Sequence, residues 1–410
     1  MNGMKHVRKT ALSGLLMLAC ACLSAQNYAY VIDSVDMHNT TIKALQRAAE
    51  ASKIEAANSV RLPDPRLGAG YLLGSPKGEG NRFDLSLTQE FDFPTVYAWK
   101  KRIARGESSI ADFRLHAERK KILLEAAEIC IDIIYYNALD LELYRNLGNA
   151  RSIADAVQEK FDKGIAGQLD LNKAKLNLIS ATKAYQSNLV ERQSSLLELA
   201  RLNAGRAVEL EVCEYEPTIL PEDFEVWYKS VEENNPELQA LKLERQQAED
   251  AVKLAKAEWL PSFSVGYESE FINGTSLQGV AVGLRVPLWE KRGSVRTAKA
   301  KLTAAKSMEQ SAFNTFYSQL KTAYNRALSL QKINREYITL LEGISGTDIL
   351  KKALDKGEID LIDYYTELSI WYDAYVETLA SARDFNKEAL RLNQWNYALG
   401  FLPALTESNL

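Results

Sequence analysis

The chain says the same thing twice. Asn39-Thr40-Thr41-Ile42-Lys43-Ala44-Leu45 returns 196 residues later as Asn235-Pro236-Glu237-Leu238-Gln239-Ala240-Leu241, and the same offset carries Pro65 to Pro261 and Gly70-Tyr71 to Gly266-Tyr267. Further along the offset becomes 193: Pro94 maps to Pro287, Asp162-Lys163-Gly164 to Asp355-Lys356-Gly357, and Asp170 to Asp363. The three-residue change falls between Tyr71 and Pro94, where a surface loop shortens at little cost. The boundaries read as a leader at 1–25, a first copy at 26–206, a Glu- and Pro-containing linker at 207–221, a second copy at 222–402 and a tail at 403–410.

Within each copy the hydrophobic period switches twice. Residues 34–61 and 222–258 read as helix. Strict alternation follows. Phe83, Leu85, Leu87, Phe91 and Phe93 oppose Asp84, Ser86, Thr88, Glu90 and Asp92, and Val280, Val282, Leu284, Val286 and Leu288 oppose Ala281, Gly283 and Arg285. With their partners the strands are expected at about 66–75, 82–92, 262–271 and 277–287, the ~9–11 residues that a tilted strand needs to cross a bilayer. Then the helical period resumes. Ile103, Ile110, Ala117, Leu124, Ile131 and Ala138 keep a spacing of seven, as do Val295, Leu302, Phe316, Ala323, Leu330 and Tyr337 around Glu309. A continuous helix from Trp99 to Lys163 would be roughly 100 Å long, which is coiled-coil material. Lys163-Gly164 and Lys356-Gly357 end these runs, and return helices follow at about 169–203 and 361–396.

The leader completes the setting. Lys5, Arg8 and Lys9 precede an apolar run from Ala11 to Leu23 and then Ser24-Ala25-Gln26, the pattern of a secretory signal cut after Ala25. Met17-Leu18-Ala19-Cys20 loosely matches a lipoprotein box, so lipid attachment at Cys20 is the alternative. No later run of 18 apolar residues provides a membrane helix. Two hairpins supply four strands, and four strands cannot close a barrel, while open edges in lipid leave backbone groups unpaired at several kcal/mol each. The chain must therefore oligomerise. Three copies would bring twelve strands, giving a barrel in the membrane continued by a ring of helices, with a wet lumen.

These residues resemble the TolC-like outer-membrane factor family. The likeness is carried by Trp259-Leu260-Pro261 entering a strand, Val286-Pro287-Leu288 leaving one, and the turns Phe161-Asp162-Lys163-Gly164 and Leu354-Asp355-Lys356-Gly357 with Asp170 and Asp363 beyond them. Leu62-Pro63-Asp64-Pro65 and Phe93-Pro94 are closest in feel to the heavy-metal, CusC- or CzcC-like branch. The resemblance implies a mainly α fold with a small transmembrane β part: two tandem repeats of helix, β-hairpin, long helix and return helix. It implies a homotrimer forming a 12-stranded β-barrel on an α-helical barrel that projects from the outer membrane into the periplasm. It further implies a passive channel for metal ions or small toxic molecules, served by a periplasmic adaptor and an inner-membrane pump of the resistance-nodulation-division type. A type I protein-secretion duct shares the fold; a periplasmic coiled-coil structural protein is the rival of another class.

Four acids are gate candidates: Asp363, Asp360, Glu367 and, in the first copy, Asp170. Asp363 matches one aspartate of the family's constriction ring, whereas Thr366, Ile359 and Leu354 stand where the family has its second aspartate, its gate arginine and its tyrosine. The simpler reading makes Asp360 an N-cap and Asp363 a first-turn acid. Lys163, Gly164, Lys356 and Gly357 are the expected adaptor-docking tips, with helix-ending glycines as the minimal role. Trp99, Tyr97, Trp259 and Trp289 flank the strands, either as a girdle at the membrane interface or as packing. His6, His38 and His116 are scattered, no cluster has metal-ligand spacing, and no nucleophile or phosphate-loop motif occurs. The chain is read as no enzyme, without cofactor. A net charge of −4 without a basic stripe gives no sign of nucleic-acid binding.

Overall fold

The computed structural model describes residues 28–74, 80–272, 274–342 and 347–395. The signal segment, Cys20 and the 403–410 tail lie outside the described residues. The order of elements is α1 (Ala29–His38), α2 (Thr40–Asn58), β1 (Arg66–Leu72), β2 (Arg82–Phe91), α3 (Pro94–Asp162) and α4 (Gln168–Leu202). There follow α5 (Phe224–Asn234), α6 (Pro236–Ala257), β3 (Ser262–Ile272), β4 (Thr275–Arg285), α7 (Ser294–Glu342), α8 (Thr347–Lys356) and α9 (Leu361–Asn393). The chain divides into two compact units. The first comprises residues up to Lys43, Glu118–Asn234 and Tyr317 onward; the second comprises Ala44–Ala117 and Asn235–Phe316.

The second unit holds the sheet. All four strands are antiparallel in the order β1-β2-β3-β4, so the two hairpins are joined through β2 and β3. β1 stops at Leu72, short of residue 75, and β4 begins at Thr275 rather than 277 because Ile272 already pairs with Thr275 across a tight turn in which Gly274 has φ +85°. β4 ends at Arg285, before Pro287, which has no N–H to donate to a ladder. The register puts Leu67, Leu87, Tyr267 and Val280 in one row, and Tyr71, Phe83 and Phe271 in another. On the opposite face the rows are small or polar, such as Gly68, Ser86, Glu268 and Gly279. There Arg82 spans two acids, at 2.6 Å from Asp84 and 2.6 Å from Glu270.

The first unit is helical, with its core where α1, α3, α4 and the 207–212 segment meet. Val31, Ile32, Val35, Ile131, Ile133, Ile134, Leu199 and Leu210 are sealed there. The segment from Leu210 to Tyr215 is anchored to this core. Asn137 donates through Nδ2 to the carbonyls of Leu210 (2.8 Å) and Val212 (2.9 Å), and Tyr215 donates to the Ile131 carbonyl at 3.0 Å. Its apolar residues, hidden among Glu and Pro in the sequence, do this packing.

Both expected N-terminal helices are broken at an asparagine. Asn39 accepts from the Ile42 amide at 2.9 Å, and Asn235 accepts from the amides of Glu237 (2.8 Å) and Leu238 (3.2 Å). Each is thus the N-cap of a second helix, with Pro236 at the first helical position in the later copy. Of the two long helices, α3 is continuous over 69 residues, while the later run is described as α7 and α8, with residues 343–346 outside the described set. Cys130 is buried and Cys213 exposed, and neither is bridged.

Candidate functional site

Two features of this fold bear on function, one in each unit. The sheet of the second unit has its outward row of large apolar side chains open to solvent. Leu67, Val280 and Val282 are 72, 75 and 77% exposed. Exposing such a face to water forfeits about 1.5–3 kcal/mol for each large apolar side chain left uncovered, so it is a surface meant to be covered. Among the described residues the outer edges of β1 and β4 are unpaired, which is a template for further strands. No helix among the described residues is long and apolar enough to cross a membrane.

The flanking aromatics divide. Trp99 is packed, with Lys253 over its ring at 4.9 Å and Arg102 at 5.7 Å, and Tyr97 accepts from the Asp92 amide at 3.0 Å. Trp289 stands 76% exposed beside exposed Leu288. Trp99 and Tyr97 therefore contact neighbouring groups within the chain, whereas Trp289 is exposed.

The second feature is the end of the first unit where its long helices reverse. Gly164 has φ +72° and Gly357 φ +75°. After α3 the Ile165 amide reaches back to the Lys160 carbonyl (2.8 Å) and the Gly164 amide to Phe161 (2.8 Å). After α8 the Glu358 amide bonds Ala353 (2.9 Å) and the Gly357 amide Leu354 (3.0 Å), the same pattern 193 residues on. Each is a left-handed glycine C-cap closing the carbonyls that a helix end leaves open. Lys163 pairs with Glu159, and Lys356 lies 3.6 Å from Glu358. The two turns sit at one end of the unit, since Leu361, just past the second, packs with Phe161 and Ala166 around Val157 and Leu171.

The four acids are not equivalent. Asp360 accepts from the Asp363 amide at 2.8 Å, so it is the N-cap of α9. In the first copy the matching position is Gly167, which has no side chain to cap with. There Asp170 folds back and accepts from the Gly167 amide at 3.3 Å. Asp363 and Glu367, one turn apart, are exposed on the same side of α9 and have no ion-pair partner among the described residues. The opposite side of the helix is sealed by Tyr364, Leu368 and Tyr372. Leu354 and Ile359, where the family has a tyrosine and an arginine, pack against that same cluster and are purely apolar.

Two buried tyrosines join this end of α9. The hydroxyls of Tyr364 and Tyr372 are buried with no hydrogen-bond partner among the described residues, and burial raises both pKa values above the usual phenol. Their spacing of four with Leu368 was the available signal. Among the described residues no group of three or more His, Cys, Asp or Glu is placed to hold a metal.

Comparison with known proteins agrees with this geometry. The profile of the family described as Outer membrane efflux protein matches residues 227–337. Outer membrane protein TolC of Escherichia coli (strain K12) is 22% identical over 418 residues, covering 91% of this chain and 82% of TolC. The crystal structure of the Campylobacter jejuni CmeC outer membrane channel superposes with a TM-score of 0.72 at 18% identity, over 93% of this chain and 87% of CmeC. A CusC structure gives 0.74 at 14% identity, over 90% and 91%. At these identities the superpositions speak to the fold, and scores so close do not single out the CusC-like branch. The profile over residues 227–337, the relative and the fold point the same way: the chain is similar to TolC-like outer-membrane efflux proteins.

Proposed function

We propose that the chain is one subunit of a homotrimeric outer-membrane duct that passively conducts substrates received from a periplasmic adaptor and an inner-membrane pump. The observation that carries this is the four-stranded sheet with an apolar outer face and two unpaired edges. Such a sheet is incomplete in water because its face is bare, and incomplete in lipid because its edges are open. Three copies joined β4 to β1 remove both defects at once, giving twelve strands with the Gly-, Ser- and Glu-bearing face lining the lumen.

In this reading the turns at Lys163-Gly164 and Lys356-Gly357 are the tip met by the adaptor, which suits a rigid, capped, exposed surface. Asp363 with Glu367 is the charged constriction, because these two acids remain after Asp360 and Asp170 are committed to capping. Three copies would set six carboxylates around the axis, attracting cations and repelling anions. The test is planar-bilayer recording of the purified full-length protein. The reading predicts uniform, cation-selective conductance steps. An inert protein that inserts but passes no current would overturn it.

A further inference from the structure

The sheet is electrostatically lopsided. Its hairpin ends carry little charge: residues 73–81 hold one Lys and one Glu, and 272–276 hold none. The opposite end, where α3 and α7 begin, is crowded with cations. Some are neutralised, Lys100 by Asp92 (2.8 Å), Arg102 by Asp250 (2.6 Å) and Arg285 by Glu290 (2.6 Å). Lys101, Arg292, Arg296 and Lys299 are exposed and have no carboxylate partner among the described residues. Arg296 and Lys299, three apart, share one side of the start of α7, and Arg292 stands in the turn just before it. All four lie within about 10 Å of the helix starts, counted at 1.5 Å per residue.

Two neighbouring features share this end. Exposed Val286, Leu288 and Trp289 continue the apolar face of β4 down to the cations. Beside them opens a groove of about 680 Å³ with Ile103, Ala248 and Ala251 on its walls and Arg292, Ser294 and Lys301 at its polar side. The Ser294 hydroxyl is buried there without a hydrogen-bond partner. The acids that also line the groove are committed elsewhere, Glu244 to Arg114 (2.6 Å) and Glu290 to Arg285.

We propose that this end of the sheet is a belt for anionic phospholipid headgroups, with Lys101, Arg292, Arg296 and Lys299 meeting the phosphates and Val286, Leu288 and Trp289 meeting the adjoining acyl region. Charge complementarity selects the occupant. Unpaired Lys and Arg at a bilayer surface attract anionic lipid, while an aromatic with an apolar body and a polar N–H settles at that depth. Continuity with the apolar face fixes the location. The belt rests on the reading that the sheet lies in a bilayer.

The test reads the belt's own tryptophan as the part of the fluorescence lost in Trp289→Phe, since five other tryptophans also emit. The purified full-length protein is reconstituted into phosphatidylcholine vesicles containing dibrominated phosphatidylglycerol or dibrominated phosphatidylcholine, and Trp fluorescence quenching is compared at low and high salt. The belt predicts stronger quenching by the brominated phosphatidylglycerol at low salt, and loss of that preference at high salt. In the triple variant R292Q/R296Q/K299Q the preference should fall by at least about fivefold, while quenching by brominated phosphatidylcholine is unchanged. Lys175→Gln, an exposed site in the other unit, should change nothing. Equal quenching by the two lipids in the wild type, or a preference untouched by the triple variant, overturns the belt. Absence of quenching by either lipid instead overturns the bilayer placement of the sheet, so the two failures are distinct.

Discussion

Replacing glycine by alanine should have opposite effects at different places in these long helices. Gly164 and Gly357 sit at φ +72° and +75°, and a Cβ built on either meets nothing within 4 Å. Crowding by neighbours is therefore excluded as a source of cost. What remains is the clash of Cβ with its own backbone in the left-handed region, about 1–2 kcal/mol. Gly148, inside α3, also has nothing within 4 Å of a built Cβ and has ordinary helical φ. There alanine should gain about 0.5–1 kcal/mol by removing unfolded-state freedom and adding helix propensity. The assay is amide hydrogen exchange resolved to the tip peptides. Gly164→Ala should speed exchange of the Gly164 and Ile165 amides by roughly 5- to 30-fold, the factor equivalent to that cost, while leaving the α1–α4 core protected. Gly148→Ala should slow exchange in its own turn of α3. Equal, small effects at all three positions would refute the argument, because they would mean that backbone conformation does not distinguish the tips.

Two further predictions concern charge. Asp363→Asn should reduce cation selectivity in planar-bilayer recordings, and Asp170→Asn should do less, because Asp170 is spent on its own helix start; an equal effect of the two would contradict the assignment. Lys120 is buried, donates to the Gln394 carbonyl at 3.3 Å and lies over the Trp395 ring, and burial lowers its pKa to about 8. Between about pH 8 and the ordinary lysine value the unfolded chain binds the extra proton, so unfolding free energy should rise with pH across that window. Lys120→Met should remove the rise, as read by urea titrations at pH 7.5 and 9.5.

How much of this was legible in the sequence depended on how local the cause was. The strands showed themselves because alternation is a two-residue signal, and the register preserves it: Phe83, Leu85 and Leu87 share a face with Tyr267 and Phe271. The glycine turns were equally plain, since a left-handed C-cap has few alternatives to glycine. The breaks at Asn39 and Asn235 were not seen, although Asn235-Pro236 is a helix-start signature, because the apolar period runs through both. The different fates of Asp170 and Asp363 turn on a single substitution, Gly167 against Asp360, which matters only once it is known that both positions are N-caps. The burial of Leu210 and of the Tyr364 hydroxyl, which has no hydrogen-bond partner among the described residues, depends on contacts between distant segments, which no local pattern encodes.

The central claim is that β1 and β4 complete one another between chains. Native mass spectrometry of the full-length protein released from detergent micelles tests it most directly. A single species at three times the chain mass is expected, persisting after the tips are weakened by Gly164→Ala and Gly357→Ala, because the sheet edges rather than the tips would hold the subunits together. A folded monomer, with its sheet intact and its edges free, would contradict it.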